Sequence, residues 1–160
     1  MNKIVFVAIL NLSYLFLTCR ANTGLQDFPV TPCQAKLIKY LYLENKGLLP
    51  IGATGPICAS NGYYAPKQCS GSQCYCVTRD GRKIQGYTAN LWNSSGQTCQ
   101  CARDEDEYRA TGLIGKWFLC TSDGSYEKVQ CSGSVCYCSD AFGHWIGPSV
   151  NISQANSLIC

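Results

Sequence analysis

The chain has 160 residues, with 13 lysines and arginines against 10 aspartates and glutamates, one histidine and 13 cysteines. A formal net charge of +3 offers no dense basic surface, which removes the electrostatic case for nucleic acid or an anionic membrane as partner. So many cysteines in so short a chain are the density of disulfide-stapled secreted proteins and exclude an ordinary reduced cytosolic enzyme.

Residues 1–21 read as a secretory signal peptide. Lys3 gives a basic start, Ile4 to Leu17 is a mostly apolar run, and Cys19 and Ala21 suit cleavage after Ala21. The run is short for a membrane span, which needs about 20 residues. Removal of this segment takes Lys3, Cys19 and Arg20 with it. The charge then nearly balances and the cysteine count becomes an even twelve, which suits a closed disulfide framework in a protein expected outside the cell.

After Cys33, Leu37, Tyr40 and Leu41 recur at helical spacing among lysines and Glu44, and Gly47 stands at a C-cap position, so a helix is predicted from about Gln34 to Asn45. The segment that follows, with Leu49, Pro50, Ile51 and Gly52, joins a small aliphatic cluster to glycines ahead of Cys58. Asn61-Gly62 is a hairpin signal, and short strands are predicted to end in Gln68-Cys69 and Cys74-Tyr75-Cys76. A second turn at Arg79–Gly81 leads to a segment with Gly86 and Tyr87, read as a contact loop, and to the glycosylation sequon at Asn93.

Much of this is then spelled again. Cys58–Cys76 lies over Cys120–Cys138 without a gap, and 12 of the 19 positions are identical, the octapeptide CSGSxCYC among them. Gly81 and Ile84 match Gly143 and Ile146, and each copy has one cysteine well upstream and one well downstream. A repeat this strict means two units of one fold, expected at 22–100 and 101–160. In the second unit the helical start is shorter and more acidic, with two turns at most expected. Gly112, Leu113, Ile114 and Gly115 match the early loop, Gly147 and Pro148 the later segment, and Asn151 is a second sequon. Neither unit has enough apolar sequence for a large core, so cross-links must carry part of the stability.

Six cysteines per unit allow 15 pairings, and spacing does not choose among them. Cys69 and Cys74 flank a four-residue loop that can bring its ends together, whereas Cys74 and Cys76 are too close to pair comfortably. A single residue, Gln100, separates the units' cysteines, so a fixed or narrowly hinged pair is expected.

Gln68-Cys69, then Cys74-Tyr75-Cys76-Val77 after Gly62 and Tyr64, resembles the thyroglobulin type-1 domain, and Gln130-Cys131 with Cys136-Tyr137-Cys138-Ser139 after Gly124 and Tyr126 does so again. Both copies have Tyr where the family has Trp, and the second has Ser139 for Val. The resemblance implies a small disulfide-rich α+β fold, two tandem domains each with a short N-terminal helix, a small antiparallel sheet and long loops. It also implies the pairs Cys33–Cys58, Cys69–Cys74, Cys76–Cys99, Cys101–Cys120, Cys131–Cys136 and Cys138–Cys160.

Catalysis finds little support. The lone histidine, His144, has no free nucleophile to work with if every remaining cysteine is bridged. Even cysteines with one histidine favour bridges over zinc, and Arg103–Glu107 lacks the ligand spacing of a calcium loop, so it reads as a solvated helix start. No cofactor is called for, and a monomer is expected. Some members of the family inhibit papain-like cysteine proteases with loops at these two places. The resemblance therefore implies a wedge built from the early and later segments, with a papain-like protease as partner. The alternatives are a non-inhibitory binding module for a matrix protein, growth factor or receptor, or a toxin component of a venom or secretion.

Overall fold

The computed structural model describes residues 29–160; the signal peptide expected at 1–21 lies outside the described residues. Each unit contributes a helix and a three-stranded antiparallel sheet in simple meander order. In the first unit these are α1 (Pro32–Asn45), β1 (Lys67–Ser70), β2 (Gln73–Val77) and β3 (Lys83–Asn90). The second has α2 (Gln100–Ala110), β4 (Val129–Ser132), β5 (Val135–Ser139) and β6 (Trp145–Asn151). A 3-10 helix follows each third strand, at Leu91–Asn93 and Ile152–Ser157.

Local chemistry sets both ends of α1. Thr31 and Gln34 form a reciprocal capping box, with Pro32 in the first turn where its missing N–H costs nothing. At the other end Gly47 takes φ +66°, and the amides of Gly47 and Leu48 return to the carbonyls of Glu44 and Leu43.

The octapeptide CSGSxCYC is a tight hairpin. Ser70 pairs with Gln73 and Cys69 with Cys74, so the four-residue loop foreseen between the cysteines contracts to a Gly71-Ser72 turn. The Asn61-Gly62 turn is a separate small closure, sealed by a bridge between Cys58 and Tyr64. Its second copy joins Cys120 to Tyr126. The recurring glycine and tyrosine are there for packing: a Cβ on Gly81 would lie 2.6 Å from the Tyr64 ring, and one on Gly143 just as close to Tyr126.

Six disulfides hold the two units: Cys33–Cys58, Cys69–Cys74 and Cys76–Cys99, then Cys101–Cys120, Cys131–Cys136 and Cys138–Cys160. Their loops span 25, 5 and 23 residues in the first unit. Loop-closure entropy puts their contribution at about 9 kcal/mol, comparable to the whole stability of an ordinary domain. The apolar clusters are correspondingly small. One gathers Cys33, Tyr64 and Val77; the other gathers Cys76, Ile84, Cys99 and Ala102, and so crosses from one unit into the next.

That crossing corrects two expectations. The second helix runs over 11 residues, longer than the two turns foreseen, and Arg103–Glu107 is not a solvated helix start. Every residue of the run has a partner. Arg103, buried, donates from Nε and Nη2 to the Val77 carbonyl at 2.9 and 2.7 Å. Asp104 accepts from the Tyr126 hydroxyl at 2.7 Å, and Glu105 from the Tyr87 hydroxyl at 2.8 Å. Asp106 and Glu107 pair with Arg82 and Arg79, each at 2.7 Å. The helix has no apolar stripe to reveal it because the partners of its 103–107 run are polar and, Tyr126 apart, sit on the other unit.

The exposed ion pairs contribute little; exposed bridges are typically worth under about 1 kcal/mol. The buried contacts of the seam matter more. Gln97 Nε2 donates to Asp123 O at 2.9 Å, Thr98 N to Ser125 Oγ at 2.9 Å and Thr98 Oγ1 to Ala141 O at 2.7 Å. With one residue between Cys99 and Cys101, these bonds fix the units against each other.

Two tyrosines of this region give the protein an alkaline limit. Burial, and then the Asp104 carboxylate, hold the Tyr126 hydroxyl protonated well above its ordinary range; burial and Glu105 do the same for Tyr87. The folded state binds these protons more tightly than the unfolded chain. The stabilisation is therefore complete below the unfolded pKa of about 10 and is lost as pH climbs beyond it. Denaturant melts from neutral pH upward are expected to show stability falling above that point. Tyr126→Phe, less stable at neutral pH, is expected to show a shallower fall; an unchanged slope would remove Tyr126 as its source.

Candidate functional site

The early loop of each unit hangs between two rigid supports. A disulfide ties its far end to the helix, through Cys58 in the first unit and Cys120 in the second. Beside it a buried glutamine clamps the backbone. Gln68 accepts from Ile57 N at 2.9 Å and donates to Ile57 O at 2.7 Å, and Gln130 does the same with Leu119 at 3.2 and 2.7 Å. This is the structural use of the glutamine that precedes the hairpin cysteine.

Between the supports the chain turns outward. Ala53 N donates to Pro50 O at 3.0 Å, closing a turn with Ile51 and Gly52 at its tip. Gly52 has φ +79°, the value the third position of such a turn requires and the reason a glycine serves there. Ile51 is fully exposed at 107%, whereas Leu49 is half-buried. In the second unit Gly112 and Gly115 bracket Leu113 and Ile114, which are 63% and 95% exposed. The loop base there is braced by Tyr108, whose ring centroid lies 5.7 Å from that of Phe118. These aliphatic side chains do not fold back onto their own domain.

The later segments lie elsewhere than the sequence had placed them. Gly86 and Tyr87 belong to β3, and Gly147 and Pro148 to β6. Each pair sits where the ladder breaks, between Tyr75 and Val77 in one sheet and between Tyr137 and Ser139 in the other. The contact loop is thus a bulged strand, because the ladder resumes at Thr88 and Ser149. Tyr87 turns toward the second unit and packs on the cluster of Cys76, Cys99 and Ala102. Gly86 and Tyr87 share a groove with Glu105 and Arg109 of α2, and the same two residues line the groove beside Leu113 and Ile114. The first unit's bulge therefore neighbours the second unit's early loop.

What adjoins the early loop within its own unit is the hairpin tip, which the sequence did not single out. Thr54 Oγ1 donates to Cys69 O at 3.0 Å, and Leu91 N to Ser72 O at 2.9 Å. Early loop, Gly71-Ser72 turn and the 3-10 helix carrying Trp92, 71% exposed, thus share one end of the unit. No periodicity marks such a convergence, since the three segments lie far apart in the chain.

Of the remaining candidates, Asn93 and Asn151 are exposed; Asn151 Oδ1 accepts from Ser153 N at 3.0 Å as cap of the second 3-10 helix. His144 is exposed, with Nδ1 2.9 Å from Asp140 Oδ2 and all twelve described cysteines bridged. Among the described residues no cluster of His, Cys, Asp or Glu is arranged to hold a metal, and no helix is long and apolar enough to cross a membrane.

A family model for the thyroglobulin type-1 repeat matches residues 33–101 and again 116–156. The chain belongs to the thyroglobulin type-1 repeat family. Thyroglobulin of Sus scrofa is 33% identical over 96 residues, covering 55% of this chain and 4% of thyroglobulin. Equistatin of Actinia equina is 30% identical over 99 residues, 55% of this chain and 41% of equistatin. U20-hexatoxin-Hi1a of Hadronyche infensa is 32% identical over 87 residues, 52% and 57% of the respective chains. The chain thus spans a small part of the thyroglobulins it matches. Disulfide-rich thyroglobulin type-1 repeats are typically extracellular, in keeping with the oxidising surroundings such bridges need.

Proposed function

We propose that the protein is a secreted inhibitor of papain-like cysteine proteases, an inhibitor or binding module rather than an enzyme. Its two thyroglobulin type-1 units, 22–100 and 101–160, each offer a wedge to the protease cleft. The observation that carries this reading is the exposure of Ile51 and of Leu113 with Ile114, at loop tips held by a disulfide at the far end and by a buried glutamine beside it. Aliphatic side chains suit an apolar specificity pocket. Glycines on either side let the backbone approach closely, and loops ordered in advance lose little entropy on binding. The hairpin tip and Trp92 extend the first unit's edge; Gly133-Ser134 does so in the second.

The second unit is the stronger candidate, because Leu113 and Ile114 both project, while in the first unit Leu49 is half-buried and Ile51 projects beside Pro50. Gly147 and Pro148 are open to a partner, whereas Tyr87 is engaged with Glu105.

Titration of the oxidised protein against papain and a cathepsin L-like protease is expected to abolish activity near stoichiometric ratio, with a trypsin-like serine protease unaffected. Absence of inhibition at micromolar concentration would sink the proposal. The binding-module reading, which draws on three exposed tryptophans (Trp92, Trp117 and Trp145), would then take its place.

A further inference from the structure

The same face of the repeat meets two different fates in this chain. In the first unit the Cys76–Cys99 disulfide and Ile84, at the bulge of β3, are covered by α2 and the Gly124 turn, and Ile84 is 7% exposed. In the second unit no helix among the described residues covers the equivalent disulfide, Cys138–Cys160, or the equivalent Ile146, and Ile146 is 50% exposed. There they line, with Leu119, Pro148 and Ile159, an apolar groove of about 910 Å³. Ile159, 93% exposed, stands where the first unit has Thr98, which donates to Ala141 O of its neighbour.

The charges change in step on both sides. The first unit receives α2 with Arg79 and Arg82, opposite Glu107 and Asp106. At the corresponding positions the second unit has Ala141 and His144, so its outer face has lost the arginines that match an acidic helix. The outer helix has lost the acids. Aligned on Cys33 and Cys101, Glu105, Asp106 and Arg109 of α2 correspond to Leu37, Ile38 and Leu41 of α1, with Tyr42 for Ala110. Ile38, Leu41 and Tyr42 are 60%, 50% and 60% exposed. An apolar stripe on one end of the molecule thus answers an apolar groove on the other, with Leu37 and Ile38 at the positions of Glu105 and Asp106, which bond to Tyr87 and Arg82 across the seam inside it.

We propose that this groove docks helix α1 of a second copy of the chain, head to tail, as the first unit holds α2. Contact is through the Ile38–Leu41–Tyr42 stripe and not through the Gly62 turn, because the Gln34 side chain covers Gly62 where the small Ala102 leaves Gly124 free. Such an interface is heterologous, so assembly is open-ended and grows with concentration. The monomer expected from the sequence gives way here to a weakly self-associating chain. The inference does not depend on the protease reading, whose early-loop tips, Ile51, Leu113 and Ile114, lie outside the groove; Gly147 and Pro148 are the residues the two surfaces share.

Sedimentation velocity of the oxidised protein from about 10 µM to about 1 mM, the range of a weak contact, is expected to show a rising average mass. Ile38→Glu, which leaves the groove intact, and Ile146→Glu, which leaves the helix intact, are each expected to stay monomeric. Mixed in equal amounts, they should form a dimer that grows no further. Leu41→Glu and Ile159→Glu, on the same two faces, should repeat the pattern and guard against a folding defect in either first variant. Wild type that stays monomeric throughout overturns the proposal. So does a dimer abolished by one class of variant and untouched by the other, since that describes two identical faces meeting.

Discussion

Replacing Leu113 and Ile114 together by aspartate is expected to weaken inhibition of a cathepsin L-like protease about a thousandfold. A carboxylate carried into an apolar pocket without a partner costs several kcal/mol, and a loss of 4 kcal/mol is roughly three decades of affinity. The folded state should hardly notice. Both side chains project, and the supports that anchor the loop, the Cys101–Cys120 bridge and the Gln130 clamp on Leu119, lie outside the substituted pair. Exposed substitutions away from packed features usually stay within about 0.5 kcal/mol of wild type. Ile51→Asp offers the comparison. If the second unit dominates, it should change the inhibition constant far less. The measurement is the inhibition constant of each full-length variant, with complete oxidation verified by mass and the fold by circular dichroism. A Leu113/Ile114 aspartate variant that is folded and inhibits as well as wild type would show that these loop tips do not enter the cleft.

Gly124→Ala is expected to cost about 3 kcal/mol, a large loss for a single methyl group. Gly124 has φ +86°, where a side chain costs about 1 kcal/mol or more. Space is the larger difficulty. The added Cβ would lie 2.6 Å from Cys76 Sγ, 3.0 Å from Ala102 Cβ and 3.3 Å from Tyr87 Cβ. Cys76 is held by its bond to Cys99 and cannot swing aside, so the turn must back away from the first unit. Overpacking of this kind adds about 1–3 kcal/mol. It would also stretch the bonds from Ala102 N to Gly124 O and from Gln97 to Asp123 O. A fall in melting temperature of about 10 °C is expected.

Gly71→Ala is the control. Gly71 also has positive φ, at +58°, but a Cβ there meets nothing within 4 Å, so only the conformational cost of about 1 kcal/mol remains. Equal effects of the two substitutions in thermal melts would mean that the seam is not packed as described. The pair also separates two roles that look alike in the sequence, since each glycine reads as a turn residue.

Much of the fold was legible because it is written in short-range chemistry. The spacing of Leu37, Tyr40 and Leu41 marks α1, Gly47 marks where it ends, and the duplicated cysteines announce two stapled units. A backbone conformation that depends on its own few residues leaves its trace in those residues. The early loops were legible as loops for the same reason, since glycines around aliphatic residues build neither helix nor strand. Whether those residues pack on the helix or project was left to the structure, which exposes Ile51, Leu113 and Ile114. The later segments were misplaced because a bulged strand and a loop share glycine and polar composition. Only the pairing of Thr88 with Tyr75, and of Ser149 with Tyr137, tells them apart.

By itself, then, the sequence determined the family, the two units, the first helix and the place of the early loops. Tertiary structure alone decided what covers each surface. Ile84 and Ile146 are the same residue at the same place in the repeat, one sealed under a neighbouring helix and the other half in water. Arg103–Glu107 reads as solvent-facing charge, yet its partners are a carbonyl, two tyrosines and two arginines reached across the fold. Burial is a property of neighbours. Where those neighbours are remote in the chain and polar, no periodicity of the helix records them, and the face they cover becomes known only when the units are seen together.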